Sequence, residues 1–179
     1  MERWAIEADV MRSYAKHYET GEVISDELIQ KILQTQTVNR GFSTTEYLAA
    51  SYRDLQWHDL DWQAAKDDQE VDSEQLESEA MRKIELVSEI APRYRSTYFQ
   101  HIFSGGYSAG YYAYIWAEVL DAYAFEEFKQ QGLVDRATAA SFREDILEKG
   151  STVEPMELYR RFKGRDPDVK PLMKNRGLA

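Results

Sequence analysis

Apolar residues recur along this chain at the three- and four-residue spacing of a helix face, and glycines, prolines and capping residues cut that pattern into segments. Trp4, Met11, Tyr14 and Tyr18 share one face of a first predicted helix, with a stop signal at Gly21. Ser25-Asp-Glu then offers an N-cap and an acidic first turn ahead of Leu28, Ile29, Ile32 and Leu33, a stripe that runs out before Gly41. Ser43-Thr-Thr-Glu46 fits a capping box, in which serine and glutamate reciprocally satisfy free backbone amides, and predicts a third helix carrying Leu48, Tyr52 and Leu55.

From Asp59 to Glu79 carboxylates crowd the chain, which predicts a solvated loop leading into a helix with Leu76, Ala80, Ile84 and Val87 inward. A calcium site is the sharper alternative there, but the EF-hand spacing and its central glycine are missing. Pro92 ends that helix, because proline disfavours helical geometry at the residue before it. Residues from Arg93 to Gly106 read as an irregular loop, followed by a long helix from about Ser108 to Gln131, before Gly132. Asp135 can cap a helix bearing Ala139, Phe142 and Ile146, with Gly150 beyond its end; Pro155 suits the first turn of a short helix ending at Gly164. No segment alternates convincingly as a strand, and no repeat period appears. The expected fold class is all-α.

Composition narrows the function classes. With 43% hydrophobic residues and 13% aromatics, twelve of them tyrosines, the 179-residue chain has enough apolar surface to offset chain entropy on folding. A formal charge of −10 argues against nucleic acid as a partner, since phosphate neutralisation needs clustered Lys and Arg that here lie scattered among carboxylates. No apolar run of about 20 residues is present to span a bilayer, and the first residues are too charged for a signal peptide's apolar core, so no membrane partner is expected. Zero cysteines exclude disulfides and thiolate metal sites, a usage that fits the cytoplasm, the expected location, with the periplasm as the alternative.

Candidate chemistry is sparse. The histidines are His17, His58 and His101, no two of them four apart as in HExxH, and a structural histidine is the commoner reading of each. No metal ligand is therefore assigned in this chain. There is no cysteine nucleophile and no Gly-x-Ser-x-Gly elbow. What stands out is His101-Ile-Phe-Ser-Gly-Gly-Tyr107-Ser-Ala-Gly-Tyr111-Tyr-Ala-Tyr114-Ile-Trp116, a glycine-rich loop opening into a tyrosine-rich helix. Tyr107, Tyr111 and Tyr114 fall at i, i+4 and i+7, so three phenols can project from one helix face. An aromatic stripe at that spacing is usually core. A buried phenol nonetheless needs a hydrogen-bond partner, and three phenols with an imidazole beside two glycines suit gripping an extended polar ligand such as a peptide.

At this stretch the chain resembles the thimet oligopeptidase-like family of zinc metallopeptidases. The likeness extends upstream through Lys16-His-Tyr-Glu-Thr-Gly21, Gly41-Phe-Ser-Thr-Thr-Glu-Tyr-Leu-Ala-Ala50 and Trp57-His58, and downstream through Pro155-Met-Glu-Leu-Tyr-Arg-Arg-Phe-Lys-Gly164 to Arg176-Gly-Leu178. Pro92-Arg-Tyr-Arg-Ser-Thr-Tyr-Phe99 and the Arg-Gly-Leu ending are more similar to the dipeptidyl carboxypeptidase branch.

The resemblance implies that residues 1–179 are the C-terminal helical part of a two-lobed peptidase, incomplete without an N-terminal part that holds zinc through HExxH and a following glutamate. Zinc then belongs to the parent enzyme, and the isolated chain is expected to be inactive. The resemblance also implies short peptides as substrates, cleaved to release C-terminal dipeptides. Tyr114 would stabilise the oxyanion, with His101 and Tyr107 holding the substrate backbone. Tyr111 lines the cleft or packs, the two readings being equal, and Gly105, Gly106 and Gly110 would let the loop close over peptide. Arg93 and Arg95 are candidates for a free C-terminal carboxylate, or else exposed arginines stabilising a loop. Two alternatives stay open: an endo-acting oligopeptidase, and a stand-alone, non-catalytic helical module that binds peptides or other proteins. Apolar faces that would pack on a missing lobe would favour self-association.

Overall fold

The computed structural model describes residues 2–61, 71–150 and 152–178, and in these the regular structure is helical: α1 (Glu2–Ala5), α2 (Ala8–Tyr14), α3 (Asp26–Thr35), α4 (Arg40–His58), α5 (Ser73–Lys83), α6 (Gln100–Ser104), α7 (Ala113–Gln131), α8 (Arg136–Phe142), α9 (Pro155–Lys163) and α10 (Lys170–Asn175). The β-pairing among the described residues is an isolated antiparallel bridge between Lys16 and Val23, so the all-α class holds. None of these helices is long and apolar enough to cross a membrane. Two compact units divide the chain, one from Asn39 to Trp116 and the other from the residues up to Val38 together with those from Ala117 onward.

In the second of these units the predicted first helix is broken. α2 ends at Tyr14 rather than at Gly21, because Ala15 to Ile24 fold back as a small hairpin: Ile24 N–H donates to the Ala15 carbonyl at 2.9 Å and His17 N–H to that of Glu22 at 2.8 Å. Gly21, at φ 72°, supplies the turn that an L side chain would resist. Tyr18 is thereby 88% exposed instead of inward. Trp4 does face the interior, edge-on to Phe125 and Phe128 at 4.6 and 4.8 Å, with its indole N–H on the Leu133 carbonyl. Ser25 caps α3 as predicted, accepting from Leu28 N, and Asp135 caps α8 through Thr138 N at 2.7 Å. α8 runs on into a single wider turn at Arg143–Leu147. Pro155 opens α9, and Gly164 at φ 72° closes it. Tyr123, Ala124 and Tyr159 form a core packed by Leu120, Phe142, Ile146, Met156 and Phe162.

The Asn39–Trp116 unit differs more from expectation. Asn39, in the left-handed region at φ 55°, caps α4 four residues ahead of the predicted capping box, and Ser43 sits inside the helix with its hydroxyl donated back to the Arg40 carbonyl. α5 begins as an acidic cap predicts, Asp72 accepting from Glu74 and Gln75 N–H, and buries Leu76 and Ala80. It ends at Lys83, well short of Pro92, where Glu85 turns to φ 52°; Val87 is exposed. Of the acidic stretch Asp59–Glu79, residues 62–70 lie outside the described residues. The supposed loop from Arg93 to Gly106 contains a tight turn at Ser96–Tyr98 and the short α6. Ala50, Trp57, Leu76, Phe99, Ile102 and Tyr111 make the unit's core, with Tyr47, Leu60, Val71 and Tyr94 packed against it.

Candidate functional site

Everything in the tyrosine-rich segment follows from one face of α4. Tyr47, Ala50, Asp54 and His58 recur every three or four residues and so lie on a common stripe, mixed apolar and polar. Asp54 is fully buried, and such a carboxylate is tolerated only when its oxygens are hydrogen-bonded. Its partners are backbone: Ala109 N–H donates to Oδ1 at 2.9 Å and Tyr111 N–H to Oδ2 at 2.8 Å. His58 Nδ1 lies 2.9 Å from Oδ1, one helical turn along.

Those bonds explain why α7 begins at Ala113 and not near Ser108. Two amides that a helix would leave to its own first turn are taken by Asp54, and Ala109 is held at φ 53°, where a helix cannot propagate. Tyr47 completes the anchorage. Its phenol donates to the Tyr111 carbonyl at 2.5 Å and accepts from Ile115 N–H at 3.2 Å, while its ring stacks on Tyr111 at 5.5 Å.

The three tyrosines therefore meet without sharing a continuous helix. Tyr107 and Tyr114 stack, centroids 5.2 Å apart and planes at 16°, and Tyr111 stands edge-on to Tyr114 at 5.3 Å. His101, exposed on α6, lies 6.0 Å from Tyr107 and 6.2 Å from both Tyr94 and Tyr111. Tyr114 is 40% exposed, whereas Tyr111 is 4% exposed, with Phe99 edge-on at 4.9 Å. Of the two equal readings for Tyr111, the geometry favours packing. Burial first, then the neighbouring Tyr94, pushes its phenol up to about 12. The hydrogen bond with Tyr107 is the leading cause that raises Tyr114.

The glycines hold the segment closed more than they free it. A Cβ on Gly105 would stand 2.8 Å from the His101 carbonyl oxygen, Gly106 needs φ 78°, and a Cβ on Gly110 would be 3.4 Å from the Tyr107 oxygen. Ser108 Oγ also donates to the Ile102 carbonyl at 2.7 Å.

The two arginines part company. Arg95 is engaged by Glu77 Oε2 at 3.3 Å and Glu74 Oε1 at 3.6 Å, which is the loop-stabilising reading. Glu77 itself is buried, and its Oε1 accepts from Ser96 N–H and lies 3.8 Å from the Arg53 guanidinium, whose burial lowers its pKa. Arg93 rests beside the Tyr94 ring at 5.7 Å without an ion pair among the described residues. Sequence reasoning missed Tyr47, Asp54 and Tyr94; the Asp54/His58 pair at i, i+4 was the available signal.

Among the described residues no group of three or more His, Cys, Asp or Glu side chains could hold a metal ion, so the described residues do not fit a zinc site. The chemistry on offer is that of phenols, an imidazole and backbone groups.

The model of Peptidase family M3 matches residues 1–178. Dipeptidyl carboxypeptidase of Escherichia coli (strain K12) is 40% identical over 99% of the chain and 26% of its own length, and oligopeptidase A of the same organism is 33% identical over the same shares. Saccharolysin of Saccharomyces cerevisiae is 28% identical over 99% of the chain and 24% of its own length. The chain thus spans about a quarter of the length of the curated relatives it matches. By its near-complete family match and these identities, the chain belongs to peptidase family M3.

Proposed function

We propose that this chain forms a peptide-gripping wall of a zinc-dependent peptidase that removes C-terminal dipeptides from short peptides. The observation that carries the reading is the stacked Tyr107–Tyr114 pair with His101 at its rim: two exposed or half-exposed phenols and an exposed imidazole converge on one surface, backed by the buried Tyr111. Converging hydrogen-bond donors suit an extended peptide, whose carbonyls accept. Tyr114 is assigned to the oxyanion of the tetrahedral intermediate, and His101 and Tyr107 to the substrate backbone. Arg93, the one of the two candidate arginines without an ion pair among the described residues, is assigned to the substrate's terminal carboxylate, a charge-assisted contact.

Zinc, implied by the family, would supply the activated water when bound, and its ligands are assigned outside this chain. The 40% identity to a dipeptidyl carboxypeptidase is the support for dipeptide release, and cleavage of an amidated peptide is what separates it from internal cleavage. The test is turnover of a short peptide by the whole protein, wild type against Tyr114→Phe, with the C-terminus free or amidated. Loss of one oxyanion donor should lower kcat by about 10²–10³-fold with little change in KM, and amidation should abolish dipeptide release. Unchanged kcat in Tyr114→Phe removes the oxyanion assignment, and undiminished cleavage of the amidated peptide removes the exo-acting one.

A further inference from the structure

We propose that Asp54 is the positioning residue of the peptide-gripping turn: a buried carboxylate on α4 that fixes the Tyr107–Tyr114 segment, and through it the pose of Tyr114. The inference rests on the peptidase reading above for its catalytic consequence, but its structural part stands on the anchorage alone. Asp54 never reaches the exposed face, being fully buried, so it acts on substrate only through the turn it holds.

The geometry is specific. Its two oxygens take one amide each, Ala109 at Oδ1 and Tyr111 at Oδ2, which fixes the backbone on both sides of Gly110. A two-point clamp sets orientation as well as position, as one bond could not. The clamp also holds Ala109 at φ 53°, a left-handed conformation in which the Cβ of an L-residue is crowded. Released from Asp54, that residue relaxes toward negative φ and the ordinary helix, and α7 extends toward Ser108. Such an extension would re-aim Tyr107 relative to Tyr114, because their present stacking depends on Tyr107 leaving the helix axis. Asp54 therefore keeps the phenols in a turn geometry that their own i, i+4, i+7 spacing would not choose.

Asn at this position keeps the shape but can accept only through its carbonyl oxygen; its NH2 faces the second amide, donor against donor. The experiment is amide hydrogen exchange together with a double-mutant cycle on the whole protein. In the wild type the amides of Ala109 and Tyr111 should be protected although they lie in no helix; exchange as fast as in an open loop would overturn the proposal without any variant. Asp54→Asn should raise exchange at these two amides, and should lower kcat by about 10²-fold, the scale of a misplacement near 1 Å, with KM moved far less. In a Tyr114→Phe background the same Asn substitution should cost less than about threefold, since a residue acting through Tyr114 has little left to lose. Equal losses in both backgrounds would show a general structural role and overturn the positioning claim. If the wild type neither binds nor cleaves peptides while Asp54→Asn still releases the two amides, the peptidase reading falls and the anchorage stands.

Discussion

Replacing Tyr47 by Phe isolates the hydroxyl that joins α4 to the start of α7. The ring stays, and with it the stack on Tyr111 at 5.5 Å. What goes is a donor to the Tyr111 carbonyl and an acceptor for Ile115 N–H. The carbonyl belongs to a residue 4% exposed, so its loss of partner carries the larger share, about 1–3 kcal/mol. Ile115 N–H lies in the first turn of α7, where free amides are usual, and adds about 0.5–1 kcal/mol. Together the substitution should destabilise the Asn39–Trp116 unit by about 1.5–4 kcal/mol. Urea unfolding followed by tryptophan fluorescence reads it, because buried Trp57 donates to Ser96 Oγ within the same unit. At a slope of about 2 kcal/mol/M the midpoint should fall by about 0.75–2 M with the slope unchanged. A midpoint shift under about 0.2 M would refute the reasoning, since it would mean that water replaces the phenol at no cost.

The glycine pair should respond asymmetrically. Gly105→Ala pushes a methyl into the His101 backbone, destabilises by about 1–3 kcal/mol and displaces His101, so thermal midpoint and peptide affinity should fall together. Gly106→Ala meets open space but must hold φ 78°, so about 1–2 kcal/mol of stability should go while affinity stays. Alkaline titration followed by phenolate absorbance should show one tyrosine ionising near pH 12, missing in Tyr111→Phe. Because its folded pKa is raised above the ordinary value of about 10, its stabilising contribution is complete below pH 10 and is lost as pH rises through about 12. If the amplitude missing from Tyr111→Phe lies near pH 10, the burial argument fails.

Local signals in the sequence were reliable where the chemistry is local. Ser25, Asp135, Pro155 and Gly164 each act within one turn, and each does in the structure what its residue type predicts. The i, i+4, i+7 tyrosines were rightly picked as neighbours, but for an incomplete reason: periodicity supposes a continuous helix, and the segment is held out of one by partners more than fifty residues away. The same limit explains Ser43, whose capping pattern lost to Asn39 in the left-handed region four residues earlier. α5 stopped short of Pro92 because Glu85 adopts positive φ, which no residue-type rule assigns to a glutamate. Arg95 and Arg93 looked equivalent along the chain; only the fold brings buried Glu77 against one and not the other.

The bonds that shape the tyrosine turn join residues 55, 57, 64 and 68 positions apart. Closing loops of that length costs chain entropy before any bond repays it, so these contacts form late, after α4 and the body of α7 exist as helices. Any ligand that binds the closed turn in preference to the open one would therefore add its binding free energy to contacts that close these long loops.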